Sequence, residues 1–295
     1  MFMNKLTKSA LYMSNHVALF KCPICDSSME IKDLKSIACS NRHTFDFSKQ
    51  GYLNFMTNPV KTNYDRALFK ARKQVIVESD FFNPLHTEMT KIINKHVTKS
   101  NLSLVDMGTG EGSHLDYISN QLQANYDKTV VGVGLDISKE GILEAAKNYE
   151  NKIWLVADLA KTPLNDRKVD VMLNILSPSN YEEFNRLLKD DGIMIKIVPR
   201  EGYLKELRQY FHGESNHKDY SNENVITLFK DKFDLVDQVT IHYTSVLDLS
   251  SLQSLVKMTP LTWGVEESHL NHFLKSGVQH ITVDLDLMIG RKKGE

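Results

Sequence analysis

The chain has 295 residues, with 36 Lys+Arg against 37 Asp+Glu and 41% hydrophobic residues. That composition buries a sizeable core in one large or two smaller domains. Balanced charge excludes a globally basic nucleic-acid binder, though not a local basic surface, and 3 Cys exclude a disulfide scaffold. No apolar run reaches the ~18 residues of a membrane helix. Asn15 and His16 interrupt the apolar N-terminal stretch and no cleavage site follows, so residues 1–17 read as a loose extension of a cytoplasmic protein.

Charge is unevenly spread. Residues 1–75 hold 12 Lys+Arg and 5 Asp+Glu, whereas the remainder holds 24 and 32. A basic N-terminal segment on an acidic body points to an anionic partner. The same segment contains every cysteine, as Cys22-Pro-Ile-Cys25, then Cys39 and His43, a C-x2-C-x13-C-x3-H pattern. Zinc takes four N/S ligands tetrahedrally, and two such knuckles present two ligand pairs to one point. Residues 29–35 and 36–38 suit a short hairpin between them. A redox Cys-x-x-Cys is disfavoured because no helix follows Cys22 and because a third Cys and a His stand at ligand spacing. With all four positions filled by protein, the zinc is expected to be structural and to supply much of the folding free energy of a module over residues 18–60. Phe45, Phe47, Tyr52 and Phe55 interleave with Arg42, Lys49 and Lys61. They either stack on bases or pack the zinc module onto its neighbour.

From residue 61 onward the pattern changes. Residues 65–78 and 84–98 read as helices. Strand-like runs recur at Ser103–Met107, Thr129–Asp136, Ile153–Ala157, Val169–Ile175 and Gly192–Val198, separated by helical segments such as Ser138–Tyr149 with Ser138 as N-cap. This alternation predicts an α/β fold with a parallel sheet covered by helices. Helices follow at Tyr203–Phe211, Asn222–Lys232 and Leu249–Met258, and β runs at Leu235–Tyr243 and His280–Lys292.

Val105-Asp106-Met107-Gly108-Thr109-Gly110-Glu111-Gly112 follows a strand and opens a helix. Its glycines permit positive φ and close approach of a ligand. The spacing is D-x-G-x-G-x-G rather than the dinucleotide G-x-G-x-x-G, and Asp106 and Glu111 are expected to repel a pyrophosphate and to suit a cationic ligand. The second strand ends at Asp136, placed to accept from ribose hydroxyls, and the third at Asp158, placed to meet an adenine amino group. Glycine loop and three acidic strand ends together resemble a class I S-adenosylmethionine methyltransferase. That resemblance implies a Rossmann-like seven-stranded sheet ordered 3-2-1-4-5-7-6 with the last strand antiparallel, over residues 61–295.

A narrower resemblance rests on the zinc pattern followed by Phe45-Asp46 and Lys49-Gln50-Gly51-Tyr52-Leu53-Asn54, on Ala71-Arg72, on Phe82-Asn83-Pro84-Leu85, on Asp106–Gly112, on Gly134-Leu135-Asp136-Ile137-Ser138, and on Met258-Thr259-Pro260-Leu261-Thr262-Trp263. Together these are similar to the bacterial large-subunit (23S) rRNA guanine-N1 methyltransferases, over roughly residues 18–290. The resemblance implies S-adenosylmethionine and structural zinc as cofactors, large-subunit rRNA as partner, and a homodimer. By motif position it implies that Phe82, His114 and Leu115 contact the cofactor and that Tyr203 approaches its methionine end. His114 stands where relatives often carry an aromatic, and Tyr203 where they often carry a histidine.

Methylating guanine N1 requires an unpaired base and removal of the N1 proton. In this fold the acceptor lies by the fourth strand end, here Asn174-Ile175-Leu176-Ser177-Pro178, so Asn174 or Ser177 is a candidate contact to the guanine edge. Trp263 either stacks on the base or packs in the core. No residue stands out as the base. A methyltransferase for a small molecule or protein, and a non-catalytic RNA-binding protein on the same fold, remain open at this point.

Overall fold

The computed structural model describes residues 3–58, 64–213 and 221–294. Pro59, Lys61, Asn63 and the expected boundary between residues 60 and 61 lie outside that set.

Residues 5–14, expected to be loose, are helical. Helix α1 (Lys5–Ser14) is capped by Asn4, whose side chain accepts from Thr7 N, and buries Ala10 and Met13 completely. Ala10 and Met13, with Leu6 half-buried beside them, form one stripe at helical spacing. The stripe is too short and too interrupted to register as an apolar run, and packing rather than propensity holds it.

The hairpin expected between the ligand pairs is present as β1 (Met29–Lys32) against β2 (Ser36–Cys39), with β3 (Thr44–Asp46) antiparallel to β2. A two-residue strand, β4 (Leu53–Asn54), then leaves this small sheet and pairs in parallel with a strand of the main one. Further seams join the two parts. Lys21 N donates to Pro163 O at 3.0 Å, Asn165 N to Leu19 O at 2.8 Å, and Phe55 N to Val156 O at 2.9 Å. Phe20, Ile37, Phe47, Leu53 and Phe55 share one core with Val105, Leu135 and Leu155. Phe47, Tyr52 and Phe55 are buried, and Phe45 packs on Phe55 with ring centroids 4.7 Å apart. These aromatics therefore pack the zinc module onto the body and are not free to stack on bases.

Helix α2 (Arg66–Lys73) runs into one π-helical turn at Gln74–Glu78, and α3 (Asn83–His96) follows. The α/β body comprises β5 (Asn101–Met107), α4 (Ser113–Tyr126), β6 (Thr129–Asp136), α5 (Lys139–Asn148, capped by Ser138), β7 (Ile153–Val156), β8 (Val169–Ile175), α6 (Tyr181–Leu187) and β9 (Leu188–Pro199). Then come α7 (Lys205–His212), α8 (Glu223–Lys232), β10 (Phe233–Val246), α9 (Leu249–Met258), α10 (Glu267–Lys275) and β11 (His280–Lys292). Helix α10 has no counterpart among the helices expected from the sequence.

The main sheet has eight strands in the order β10-β11-β9-β8-β5-β6-β7-β4. Seven of them reproduce the 3-2-1-4-5-7-6 order, with β11 antiparallel to β9 and to β10. The eighth is β4, donated by the zinc module. Strands β5 to β9 are buried on both faces, as parallel strands between helix layers must be. Strand β10 alternates buried or half-buried with exposed positions, as an edge strand with one wet face does.

Candidate functional site

At the N-terminal module, the ligand atoms of Cys22, Cys25, Cys39 and His43 lie within 4.8 Å of one another. Cys25 Sγ is 3.7 Å from Cys39 Sγ, and His43 Nδ1 is 3.5, 3.3 and 3.5 Å from the sulfurs of Cys22, Cys25 and Cys39. A tetrahedral zinc with Zn–S near 2.3 Å and Zn–N near 2.0 Å has S···S edges of about 3.8 Å and S···N edges of about 3.5 Å. The donor set fits the ion in both chemistry and spacing, with His43 bound through Nδ1. No ligand lies on the cavity described next, so the ion scaffolds the module.

The larger site lies at the carboxyl ends of β5, β6, β8 and β9, where open α/β sheets place their ligands. A cavity of about 710 Å³ opens there, lined by Tyr64, Phe69, Arg72, Gly108, Gly110 and Asp136 on one side. Leu176, Ser177, Lys196, Tyr203 and Thr259 line the other. Its size suits a cofactor with part of a substrate.

The glycine loop is shaped by its neighbours. Gly108, Gly110 and Gly112 all have positive φ, at 85°, 60° and 83°. A Cβ on Gly108 would sit 2.0 Å from Ser177 Oγ, and one on Gly112 would sit 2.4 Å from the Trp154 ring. Asp136 braces the loop: Oδ2 accepts from Gly110 N and Oδ1 from Ser138 N, each at 2.8 Å. It is the acidic strand end that reaches the cavity wall. Together Asp136, the close-approach glycines and the apolar Ile137, Leu159 and Leu176 fit an adenosyl ligand.

The other acids differ from expectation. Asp106 and Glu111 are buried beneath the loop and do not line the cavity. Glu111 Oε2 lies 2.7 Å from Arg72 Nε, and burial raises its pKa against that pull. Burial likewise pushes the Asp106 carboxyl up to about 7. Arg72 thus pairs with Glu111, and neither Asp106 nor Glu111 lines the cavity. Arg72, which no local sequence pattern marks as a site residue, also lines the cavity. Asp158 is exposed just past β7 and accepts from Ala160 N at 2.9 Å.

Phe82, His114 and Leu115 are buried, and like Gly112 they do not line the cavity. His86 Nε2 and His114 Nδ1 are 2.7 Å apart, with Phe82 edge-on to His114 and Tyr117 stacked on His86. Burial holds His86 down to about 4 and His114 well below the usual histidine value. This aromatic cluster packs α3 on α4 behind the loop. Tyr203 does line the cavity, and burial raises its phenol.

At the fourth strand end, Asn174 is fully buried and committed to internal bonds. Its Nδ2 donates to Met107 O at 2.8 Å and Pro178 O at 3.0 Å, while Oδ1 accepts from Ser179 Oγ at 3.0 Å and from Lys196 Nζ. It latches β5 to β8 and has nothing left for a guanine edge. Ser177 lines the cavity. Trp263 is neither in the core nor on the cavity wall; it is 43% exposed, edge-on to Tyr64 at 5.6 Å.

Fold, cavity and Cys3His cluster define a class I S-adenosylmethionine-dependent methyltransferase carrying an N-terminal zinc ribbon. Residues 20–63 match the zinc-ribbon family described as "RlmA, N-terminal", and residues 105–196 match "Methyltransferase domain". The chain is 43% identical over 277 residues to "Putative 23S rRNA (guanine-N(1)-)-methyltransferase YxjB" of Bacillus subtilis (strain 168), covering 93% of this chain and 98% of that one. It is 26% identical to the "23S rRNA (guanine(748)-N(1))-methyltransferase" of Streptomyces fradiae, covering 94% and 98%. The X-ray structure of YjhP from E. coli superimposes with a TM-score of 0.50 at 16% identity, over 77% of this chain and 100% of that one, a likeness of fold alone. The chain belongs to the 23S rRNA (guanine-N1)-methyltransferase family.

Proposed function

We propose that this protein transfers a methyl group from S-adenosylmethionine to N1 of a guanine in a hairpin loop of 23S rRNA. The observation that carries the reading is the 43% identity to YxjB, which runs through zinc ribbon and methyltransferase body alike. In this reading Asp136, Gly108 and Gly110 hold the cofactor, whose sulfonium supplies an electrophilic methyl carbon. Asp158 reaches the adenine end and Tyr203 the methionine end. Ser177 and Lys196 face the guanine, which enters the cavity flipped out of its stack. Asp106, Phe82, His114 and Leu115 act from behind the loop, by holding its shape.

Residues 18–60 form the RNA-positioning module and residues 61–295 the catalytic one. The basic N-terminal segment meets phosphates, which position the RNA but carry little sequence information. Binding therefore weakens steeply as salt rises. We place the protein in the cytoplasm, with its substrate, as a homodimer, for which sedimentation of the pure protein is the check. The reaction is tested by incubating enzyme, labelled cofactor and unmodified 23S rRNA and mapping the label. Label on guanine N1 within one hairpin supports the assignment; label only on protein or a small metabolite, with rRNA untouched, ends it.

A further inference from the structure

We infer that Lys196 is the group that takes the N1 proton from the guanine, an inference that rests on the function proposed above. Lys196 stands on β9 opposite Asn174 of β8, at the carboxyl end of the parallel strands. Its side chain lines the cavity, yet the residue is 4% exposed. Among the described residues it forms no ion pair, and its Nζ has two hydrogen-bond acceptors, Asn174 Oδ1 and Ser177 O.

The Asn174 amide cannot be turned the other way, because its Nδ2 already donates to the carbonyls of Met107 and Pro178. Its Oδ1 must therefore receive Lys196. A neutral amine has two N–H bonds and one lone pair. In that form both N–H bonds go to Asn174 Oδ1 and Ser177 O, which leaves the lone pair for a substrate proton. An ammonium at the same place would have a third N–H and no counter-ion, a costly state in a buried site. Consistent with this, burial lowers Lys196 to about 8.

The other buried or half-buried titratable groups on the cavity wall are ill suited, and Tyr64 stands 42% exposed to water. Both Asp136 oxygens accept backbone N–H bonds, Arg72 is paired to Glu111, and burial raises Tyr181 and Tyr203. The step balances without another reactant. The N1–H proton moves to the Nζ lone pair, and the N1 electron pair forms the new bond to the methyl carbon. The carbon–sulfur bond breaks with its electrons on sulfur, and the resulting Lys196 ammonium releases its proton to water.

The test combines single-turnover methylation of 23S rRNA across pH with lysine Nζ titration by NMR on the cofactor-free protein. Wild-type rate is expected to rise with pH and level off above about 8, and one lysine signal, missing in Lys196→Arg, should titrate at that pH. Lys196→Met and Lys196→Arg should each lose roughly 100-fold or more in rate, the scale of general-base catalysis. Arginine, which keeps the cation but offers no base, should do no better than methionine. Both variants should bind S-adenosylmethionine like wild type by calorimetry. An arginine variant at wild-type rate, or a wild-type rate that falls through that pH, overturns the inference while leaving the rRNA reaction in place. A wild-type enzyme inactive on 23S rRNA overturns the underlying function instead. If both variants misfold, the wild-type profile and titration still decide.

Discussion

Arg72 Nε lies 2.7 Å from Glu111 Oε2 beneath the glycine loop, where Glu111 is 1% exposed. One helix before the sheet thus neutralises a carboxylate within the loop. Removing one partner of such a pair leaves a buried charge uncompensated, at about 3–5 kcal/mol. Arg72→Leu is expected to lose stability on that scale in urea denaturation, and Arg72→Leu with Glu111→Leu to recover much of it. A single variant as stable as wild type would show that the pair carries no structural role.

The zinc ribbon shares a core with the body, since Cys22, Cys39 and Ile37 cluster with Phe20, Phe55 and Val105. Metal analysis should return about one zinc per chain, by the four-ligand count. Cys25→Ser should release zinc, lower the melting temperature of the whole protein and weaken rRNA binding. Cofactor affinity should hold, because no zinc ligand lines the cavity. A zinc-free variant that melts like wild type would contradict the shared core.

Asp136 braces Gly110 and Ser138 through two backbone bonds. Asp136→Ala removes both, together with the proposed ribose acceptor. Calorimetry should show S-adenosylmethionine binding weakened by about 1.5–3 kcal/mol, the range for hydrogen bonds to a charged group. NAD should bind neither protein. Unchanged cofactor affinity in the variant would move the cofactor away from β6.

The buried His86–His114 pair gives the fold an acid limit. His86 is held at about 4 when folded, against about 6.5 when unfolded. A depressed folded value means that stability is full above the unfolded pKa and is lost as pH falls from there toward the folded one. At pH 5 the loss from His86 alone is about 2 kcal/mol. Urea denaturation at pH 7.5 and pH 5 should therefore show wild type losing more stability than His86→Leu/His114→Phe. Equal losses would mean that another group sets the limit.

Much of this was legible in the sequence, for reasons of period and spacing. Four zinc ligands at two-knuckle spacing found one another in space, because a knuckle is a local shape that short stretches of chain can specify. The β5–β9 runs and the D-x-G-x-G-x-G loop were likewise readable, since doubly buried strands are continuous apolar runs and positive φ favours glycine. Other facts belong to the tertiary structure alone. Which carboxylates line the cavity was decided by packing: Asp136 reaches its wall, whereas Asp106 and Glu111 are buried under the loop. Leu53 and Asn54 join the main sheet only because Leu155 and Val156 end an open edge beside them. Lys196 is an ordinary residue in a list of letters. Its burial beside an asparagine locked in one orientation comes from β8 and β9 lying in register, and no local pattern in the chain encodes that pairing.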